Sequence, residues 1–246
     1  MAEVFALDED RVLKLDRPEW SGVSDFERDV ITRVAAAGLP VALAHGMMTV
    51  DGRRGVVLDR VFGRSLQDEI GLMQTEGRVD VAARRFARVQ ASINATRIDG
   101  LPDLTARMQS EIARSGLAPE RMAELGALLR ALDDGQRGIC HFDFHPHNVI
   151  VGPQGWVVID WLTAAAGPSL ADLARSLVLR GQEIDPPFGR FMREVRRAGL
   201  EQRGADEGAC DAWVRVTAGA RLAEGFGGAY AEWLRAVANG AVRLCV

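Results

Sequence analysis

The chain has 246 residues, 48% of them hydrophobic, which is enough to form the core of one large domain or of two smaller lobes. Its net charge of −4 and pI near 5.7 argue against nucleic-acid binding, and no apolar run is long enough to span a membrane. The first residues do not form a secretory signal, and the widely spaced Cys140, Cys210 and Cys245 fit a reducing compartment, so a cytoplasmic location is expected.

The N-terminal part of the chain is predicted to contain short β-strands and one helix. Apolar runs bounded by turn residues predict strands at residues 4–7, 11–15 and 55–58, while residues 41–44 and 49–50 flank a loop. Asp51 and Gly52 predict a turn before the last strand. A helix is predicted at residues 24–37, where one face is formed by Phe26, Val30, Ile31, Val34 and Ala37.

The rest of the chain is predicted to be mainly helical. A segment at residues 139–144, a polar loop and a turn-linked pair of strands at residues 149–151 and 156–159 interrupt the helical patterns. Helices are predicted at residues 66–73, 79–95, 104–115, 119–132, 170–179, 188–198, 211–224 and 229–237. A strand-rich lobe would therefore be joined to a larger helical lobe near residues 59–63, and clefts between lobes are favoured ligand sites.

The polar loop carries residues suited to phosphoryl transfer. Asp143 is followed by Asn148 five positions later and by Asp160 twelve positions after that. Phosphoryl transfer from a magnesium nucleotide uses one carboxylate to orient the attacking hydroxyl, and an amide oxygen with a second carboxylate to hold the metal. Because Asp and Asn also favour turns, a purely structural role in the loop is the alternative.

Lys14 is the only lysine in the printed sequence, and the other 29 of the 30 basic residues are arginines. An ammonium is a compact point charge that fits between phosphate oxygens, whereas a guanidinium is a broad planar fork. The position of Lys14 on an apolar strand favours phosphate binding over the chance survival of one lysine.

These segments, in this order, resemble the kinase-like fold of the aminoglycoside phosphotransferase and choline kinase superfamily. The resemblance covers residues 3–180, and its most specific part is the loop 141–148, which resembles the superfamily's H-G-D-x-H-P-x-N motif. It implies an α+β, protein-kinase-like fold of two lobes. The small strand-rich lobe would be residues 1–62 and the larger, mainly helical lobe residues 63–246.

The resemblance implies an ATP-dependent phosphotransferase, with GTP as a possible nucleotide, that acts on a hydroxyl of a small molecule. Asp143 would be the catalytic base, and Asn148 and Asp160 would hold Mg²⁺. Lys14 would grip the nucleotide phosphates, with Glu27 fixing its ammonium. Backbone groups of the hinge residues would bond the adenine edge; these residues are Asp59, Arg60 and Val61.

The sequence departs from the superfamily pattern in three respects. It begins inside the region where the superfamily carries a glycine-bearing turn over the phosphates, so that contribution of backbone N–H groups is not expected from the printed residues. Phe142 stands where glycine is usual and His147 where glycine is common, and both add bulk beside Asp143.

Glu27, His141 and Asp172 have structural interpretations as well. Glu27 lies three positions after Ser24, and Asp172 three positions after Ser169, so each pair has the spacing of a helix capping box. His141 is expected to be a buried scaffold whose ring hydrogen-bonds the backbone. Asp172 is expected to support the catalytic loop structurally.

Two other functions are weighed against the kinase. The alternation of His141, Asp143, His145 and His147 is compatible with a metal-dependent hydrolase, although it leaves Lys14 and Asp160 unexplained. A catalytically weak or inactive nucleotide-binding module is the second alternative, motivated by Phe142 and the short N-terminal region.

The identity of the acceptor is not predicted. From residue 181 onward nine acidic and nine basic residues balance, so no preference for a polycation is indicated. A small-molecule hydroxyl compound is the expected partner, without nucleic acid or membrane, and the oligomeric state is left open. The candidate acceptor contacts are His145, Glu183, Asp185, Glu194 and Trp213.

Overall fold

The computed structural model describes residues 2–244. By their contacts the residues form two compact units, Met1–Glu69 with His145–Ala164 and Ile70–Phe144 with Ala165–Val246. The predicted lobes, residues 1–62 and 63–246, stay a prediction; the contact units differ from them in grouping His145–Ala164 with the N-terminal residues.

Helices and strands follow the sequence patterns closely. The helix predicted at residues 119–132 has those bounds, and the ends of most other predicted elements shift by a few residues. Along the chain the elements are β1 (Ala2–Ala6), β2 (Arg11–Asp16), α1 (Val23–Ala36), β3 (Ala44–Val50), β4 (Arg53–Asp59), β5 (Arg64–Ser65), α2 (Leu66–Gly71), α3 (Glu76–Ala95), α4 (Leu104–Ala113), α5 (Pro119–Leu132), β6 (Gly138–Cys140), β7 (Val149–Gly152), β8 (Gly155–Val158), β9 (Ala165–Gly167), α6 (Ser169–Arg180), α7 (Phe188–Arg203), α8 (Glu207–Arg221) and α9 (Gly228–Ala238).

The first unit contains an antiparallel sheet in the order β1-β2-β4-β3. β3 and β4 are joined by a tight turn in which Asp51 and Gly52 both have positive φ, as the two-residue hairpin turn requires. The loop predicted between residues 44 and 49 is instead the continuous strand β3, because β4 pairs with it along its length. Leu13, Leu15 and Val57 are buried together on this sheet.

α1 packs on the sheet through Val30, Ile31 and Val34, which are at most 2% exposed. The helix begins after Gly22, whose φ of 90° is left-handed, so Ser24 lies inside the first turn rather than before it. The predicted capping box of Ser24 and Glu27 is therefore wrong. Ala37 follows the helix and is exposed, so it does not belong to the buried face.

A second small sheet, β5-β7-β8, belongs to the same unit. The N–H of Val158 donates to the carbonyl of Pro40 at 2.8 Å, and Val41 forms a parallel bridge with Val158. Trp161 follows β8 and is fully buried, with its indole N–H donating to the Val158 carbonyl at 3.1 Å. The segment after α1 is thereby bonded to the strand that leads to Asp160.

The second unit is built from helices around a small pair of strands, β6 and β9. α3 and α7 pack together, with Phe86 near the rings of Phe144 and Phe191 at 4.3 and 5.5 Å between centroids. β6 ends at Cys140, because Phe142 has a φ of 60° that breaks the extended backbone.

Two of the cysteines, Cys140 and Cys210, are buried free thiols, and Cys245 lies outside the described residues. Among residues 2–244, no helix combines the length and apolar character needed to cross a bilayer.

Candidate active site

Lys14 lies between two carboxylates of the first unit. Its Nζ is 2.8 Å from Glu27 Oε1 and 2.9 Å from Asp160 Oδ1. β2 carries the lysine, α1 carries Glu27, and Asp160 follows β8, so three separate elements bring these charges together. The ion pair considered for Glu27 is present, and it accounts for this glutamate where the capping box does not.

Burial makes this charge cluster strong. The side chains of Lys14, Glu27 and Asp160 are 14%, 2% and 34% exposed. Burial alone would lower the pKa of Lys14, but the two carboxylates outweigh it and raise this pKa above its ordinary value. The ammonium therefore stays charged at neutral pH. Burial also raises the pKa of Glu27, with the Lys14 ammonium acting in the opposite direction.

Asp16 is a structural residue of the site that the sequence patterns did not reveal. It is 2% exposed, and its carboxylate accepts the N–H of Gly22 at 2.9 Å and the hydroxyl of Ser24. These groups belong to the start of α1, where backbone N–H groups lack helical partners. Asp16 thus bonds the end of the lysine strand to the helix that carries Glu27. The sequence signal that could have pointed to Asp16 is an acidic residue directly after an apolar strand.

The two predicted metal ligands are neighbours in the first unit. Asn148 is 8% exposed, and its carbonyl accepts the N–H of Ile159, the residue before Asp160, at 3.0 Å. Asp160 has a φ of 63°, and its Oδ1 is the oxygen that accepts from Lys14. An amide oxygen and a carboxylate oxygen are hard donors of the kind that Mg²⁺ prefers, so these residues fit the predicted metal.

The backbone at and just before Asp143 is held by hydrogen bonds within the second unit. His141 is fully buried, and its Nδ1 accepts the N–H of Asp143 at 3.3 Å. The N–H of Phe142 donates to Asp172 Oδ1 at 2.7 Å. Asp143 itself is partly exposed, which leaves a carboxylate beside solvent on a rigid loop.

Asp172 is fully buried within a polar network. Its Oδ2 accepts from Asn94 at 2.9 Å and from Gln90 at 3.1 Å, in addition to the bond from Phe142. α6 begins after Pro168 without a side-chain cap, so the capping alternative for Asp172 is wrong. Its partners lie far away in sequence, on α3 and on the loop before Asp143.

Two of the three predicted hinge amides are already bonded within the protein. The N–H of Asp59 donates to the Leu43 carbonyl at 2.9 Å, and that of Arg60 to the Asp10 carbonyl at 2.7 Å. Among residues 2–244, no backbone carbonyl accepts the N–H of Val61. The predicted contact of a hinge N–H with adenine therefore fits Val61 better than Asp59 or Arg60, and it stays a prediction.

Two acidic candidates for acceptor binding are neutralised by arginine. Glu183 accepts from Arg180 at 2.6 Å, and Glu194 accepts from Arg197 at 2.6 Å. Asp185 is exposed on the loop before α7. Their arrangement provides little unbalanced negative charge for a polycation.

The other two candidates differ in exposure. Trp213 is 2% exposed and belongs to the core of α8, so its prediction as an acceptor contact is wrong; its spacing on the helix marks the buried face. His145 is partly exposed and lies in the first unit, with its ring 5.8 Å from that of His147.

The alternating histidines do not form a transition-metal site. Among residues 2–244, no group of three or more His, Cys, Asp or Glu side chains is arranged to hold a metal ion. His141 instead packs edge-on against Phe144, with centroids 5.8 Å apart. The metal-dependent hydrolase lacks the ligand set it needs.

Solved structures share this fold. APH(3'')-Id from Streptomyces rimosus matches with a TM-score of 0.66 at 15% identity, over 90% of this chain and 92% of that one. APH(4)-Ia matches with a TM-score of 0.64 at 17% identity, over 98% and 92%. Amicoumacin kinase hAmiN matches with a TM-score of 0.64 at 12% identity, over 97% and 88%.

These likenesses confirm the predicted fold class, an antiparallel N-terminal sheet followed by a mostly helical remainder of kinase-like type. No significant match was found among curated proteins. The sequence model of the APH phosphotransferase enzyme family matches residues 2–236, nearly the whole chain. The chain therefore belongs to the APH phosphotransferase enzyme family.

Proposed function

We propose that this protein is a cytoplasmic kinase that transfers the γ-phosphoryl group of ATP to a hydroxyl of a small molecule. The observation that carries the proposal is the half-buried Lys14 ammonium held between Glu27 and Asp160. A positive charge fixed beside a predicted metal ligand is suited to the phosphates of a nucleotide.

Each predicted residue has a distinct role in this reaction. Lys14 binds phosphate oxygens, and Asn148 and Asp160 would hold Mg²⁺, which would neutralise phosphate charge. Asp143 accepts a hydrogen bond from the acceptor hydroxyl and aligns its oxygen for in-line attack. It takes the hydroxyl proton as that oxygen bonds to the γ-phosphorus, while the bond from this phosphorus to the bridging oxygen breaks and ADP leaves. Glu27 restrains the lysine, because without the ammonium the buried carboxylate would lose its counter-charge.

Nucleotide entry would change the balance around Lys14. Its ammonium is bonded to both carboxylates in the protein alone. Phosphate oxygens would compete with Asp160 for the Lys14 ammonium, and a metal ion held by Asp160 would compete with that ammonium for the carboxylate. The Lys14–Asp160 contact is therefore expected to loosen while the Lys14–Glu27 contact remains.

Complexes of similar proteins support nucleotide and small-molecule binding. APH(3'')-Id was solved with ADP and streptomycin, and APH(4)-Ia with ADP and hygromycin B. Amicoumacin kinase hAmiN was solved with AMP-PNP, Ca²⁺ and Ami. ATP and Mg²⁺ are the nucleotide and metal we propose for this chain, with GTP as the competing nucleotide.

The proposal is tested by nucleotide binding followed by turnover. Thermal shifts with Mg-ATP and Mg-GTP come first, then a turnover screen over amino alcohols, sugars and antibiotics. With an active acceptor, Asp143→Asn is expected to reduce turnover by about a hundred- to ten-thousand-fold while nucleotide binding survives. The control is Asp134→Asn, which changes an exposed loop carboxylate of the same unit. Near wild-type turnover of Asp143→Asn would refute the assignment of the base.

Metal removal gives a second expected outcome. EDTA should abolish turnover, and Mg²⁺ should restore it where Zn²⁺ does not, because the donors are an amide and a carboxylate oxygen. A nucleotide-induced thermal shift without turnover of any acceptor would instead favour the nucleotide-binding module.

A further inference from the structure

Phe142, which precedes the proposed base, has a left-handed backbone. Its φ is 60°, a region that residues with a Cβ rarely adopt and that surrounding contacts must hold in place. Its side chain is only 1% exposed. The direction of the Asp143 side chain depends on this peptide, so whatever holds Phe142 also orients the carboxylate.

Two arginines enclose the ring of Phe142. The guanidinium carbon of Arg107, on α4, lies 4.8 Å from the ring centroid, and that of Arg175, on α6, lies 5.0 Å from it. Cation–π attraction is strongest where water is excluded, as it is around this ring. A smaller side chain at this position could not make either contact.

Arg175 also bonds the backbone of Phe142. Its Nε donates to the Phe142 carbonyl at 3.1 Å, and the residue is 4% exposed. Since Asp172 accepts the N–H of the same residue, both peptide groups flanking Phe142 are bonded to charged side chains of α6. The backbone N–H, the backbone carbonyl and the ring of Phe142 are therefore all contacted by charged side chains of the second unit.

The opposite end of Arg175 reaches the turn after α8. Its terminal nitrogen lies 2.7 Å from Glu224 Oε1, and the other oxygen of Glu224 accepts from Arg221 at 2.8 Å. Glu224 is 35% exposed, so this chain of contacts runs from the surface to the buried ring. Burial lowers the pKa of Arg175 and Glu224 opposes that shift, which leaves the guanidinium charged at neutral pH.

We infer that Arg175 is a positioning residue for Asp143, holding Phe142 in its left-handed conformation under the control of Glu224. This role rests on the proposed function, in which Asp143 aligns the acceptor hydroxyl. A displacement of about 1 Å at a reacting group can reduce the rate about a hundredfold, so loosening Phe142 should lower kcat rather than nucleotide affinity.

The test uses the full chain and three variants that each remove one part of this arrangement. Arg175→Lys keeps the charge but loses the Nε–H donor and the planar face. Phe142→Leu keeps the backbone strain and loses the ring. Glu224→Gln keeps the shape and loses the charge that pairs with Arg175. The control, Glu201→Gln, removes a charge that is 69% exposed and lies 3.5 Å from Arg197 in the same unit.

The first measurement does not depend on activity. Hydrogen–deuterium exchange of a peptide covering residues 140–145 should accelerate about tenfold in both Arg175→Lys and Phe142→Leu. Arg175→Lys loses a hydrogen bond from a charged group, and Phe142→Leu loses the two cation–π contacts; each loss destabilises by about that factor. Glu224→Gln should accelerate it less, and the control should not change it. Near-ultraviolet circular dichroism checks that each variant is folded; if Arg175→Lys is not, the other two variants decide.

The second measurement uses an acceptor found by turnover screening. In the same variants kcat should fall by about tenfold or more, while KM for Mg-ATP stays within about twofold. Unchanged exchange in Arg175→Lys and Phe142→Leu would overturn the inference whether or not the protein is a kinase. Faster exchange with unchanged kcat would overturn it too. Faster exchange in a protein that phosphorylates no acceptor would support the restraint on Phe142 and refute the proposed function instead.

Discussion

Lys14 illustrates how one side chain is selected where the rest of the chain uses arginine. Its ammonium contacts Glu27 and Asp160 from a single atom, at 2.8 and 2.9 Å. A guanidinium spreads its charge over a planar fork, and its other nitrogens would need space and partners beside the same two oxygens. The compact ammonium therefore suits this largely buried position.

The first prediction concerns the stability of this ion pair. Lys14→Met should destabilise the protein by about 3 kcal/mol, because the buried Glu27 loses the positive charge that pairs with it. Lys14→Met combined with Glu27→Gln should recover part of the loss. Urea unfolding of both single variants, the double variant and the wild type completes the cycle; additive losses would contradict the coupling.

Site residues differed in how far the sequence could identify them. Lys14, Asp143 and Asn148 were predicted from residue type and spacing, because the chemistry demands particular groups. Asp16 and Arg175 were not, since their partners lie on other elements and only the folded chain brings them together. The same reason explains why Ser24 has the spacing of a cap but bonds Asp16.

At the scale of elements, apolar periodicity predicted most helices and strands. The predicted and observed elements differ mainly in the residues at which they begin and end. α8 begins at Glu207, before the predicted residue 211, because the Asp206 side chain accepts the N–H of Ala209 at 2.8 Å. β6 ends before the left-handed Phe142. Periodicity reports buried faces, whereas these boundaries depend on individual polar contacts and backbone angles.

A pair of glycine substitutions tests packing within single elements. A Cβ on Gly138, in β6, would lie 1.8 Å from the Asn94 carbonyl oxygen, so Gly138→Ala should destabilise by about 3 kcal/mol. Gly77, in the first turn of α3, has open space around it, and Gly77→Ala should stabilise by about 0.5 kcal/mol. Urea unfolding measures both, and equal effects would contradict the packing around Gly138.

For the molecule as a whole, composition limited the possibilities but did not identify an acceptor. The balanced charge of the C-terminal part was visible in the sequence. The ion pairs that neutralise Glu183 and Glu194 could be seen only in the fold. We therefore expect uncharged or weakly charged hydroxyl compounds to be better acceptors than polycations.

The buried thiol of Cys210 is expected to make the stability of the protein depend on pH in the alkaline range. Burial raises the pKa of Cys210 from 9.0 to about 11. Above pH 9.0 the unfolded thiol loses its proton while the folded one keeps it, so the free energy of unfolding should fall as the pH rises toward 11. Cys210→Ala should remove about 2–3 kcal/mol of that decline. Urea unfolding below pH 9.0 and near pH 11 compares the two proteins, and parallel declines would contradict the prediction.

The bond from Val158 to Pro40 makes the first unit discontinuous along the chain. During synthesis, the segment that ends at Glu69 must leave the ribosome and wait until Ala164 has been translated before its own contacts are complete. Until then β5 lacks its partner strand β7, and a fragment cut near residues 59–63 would lack Asp160 and could not form the full Lys14 site.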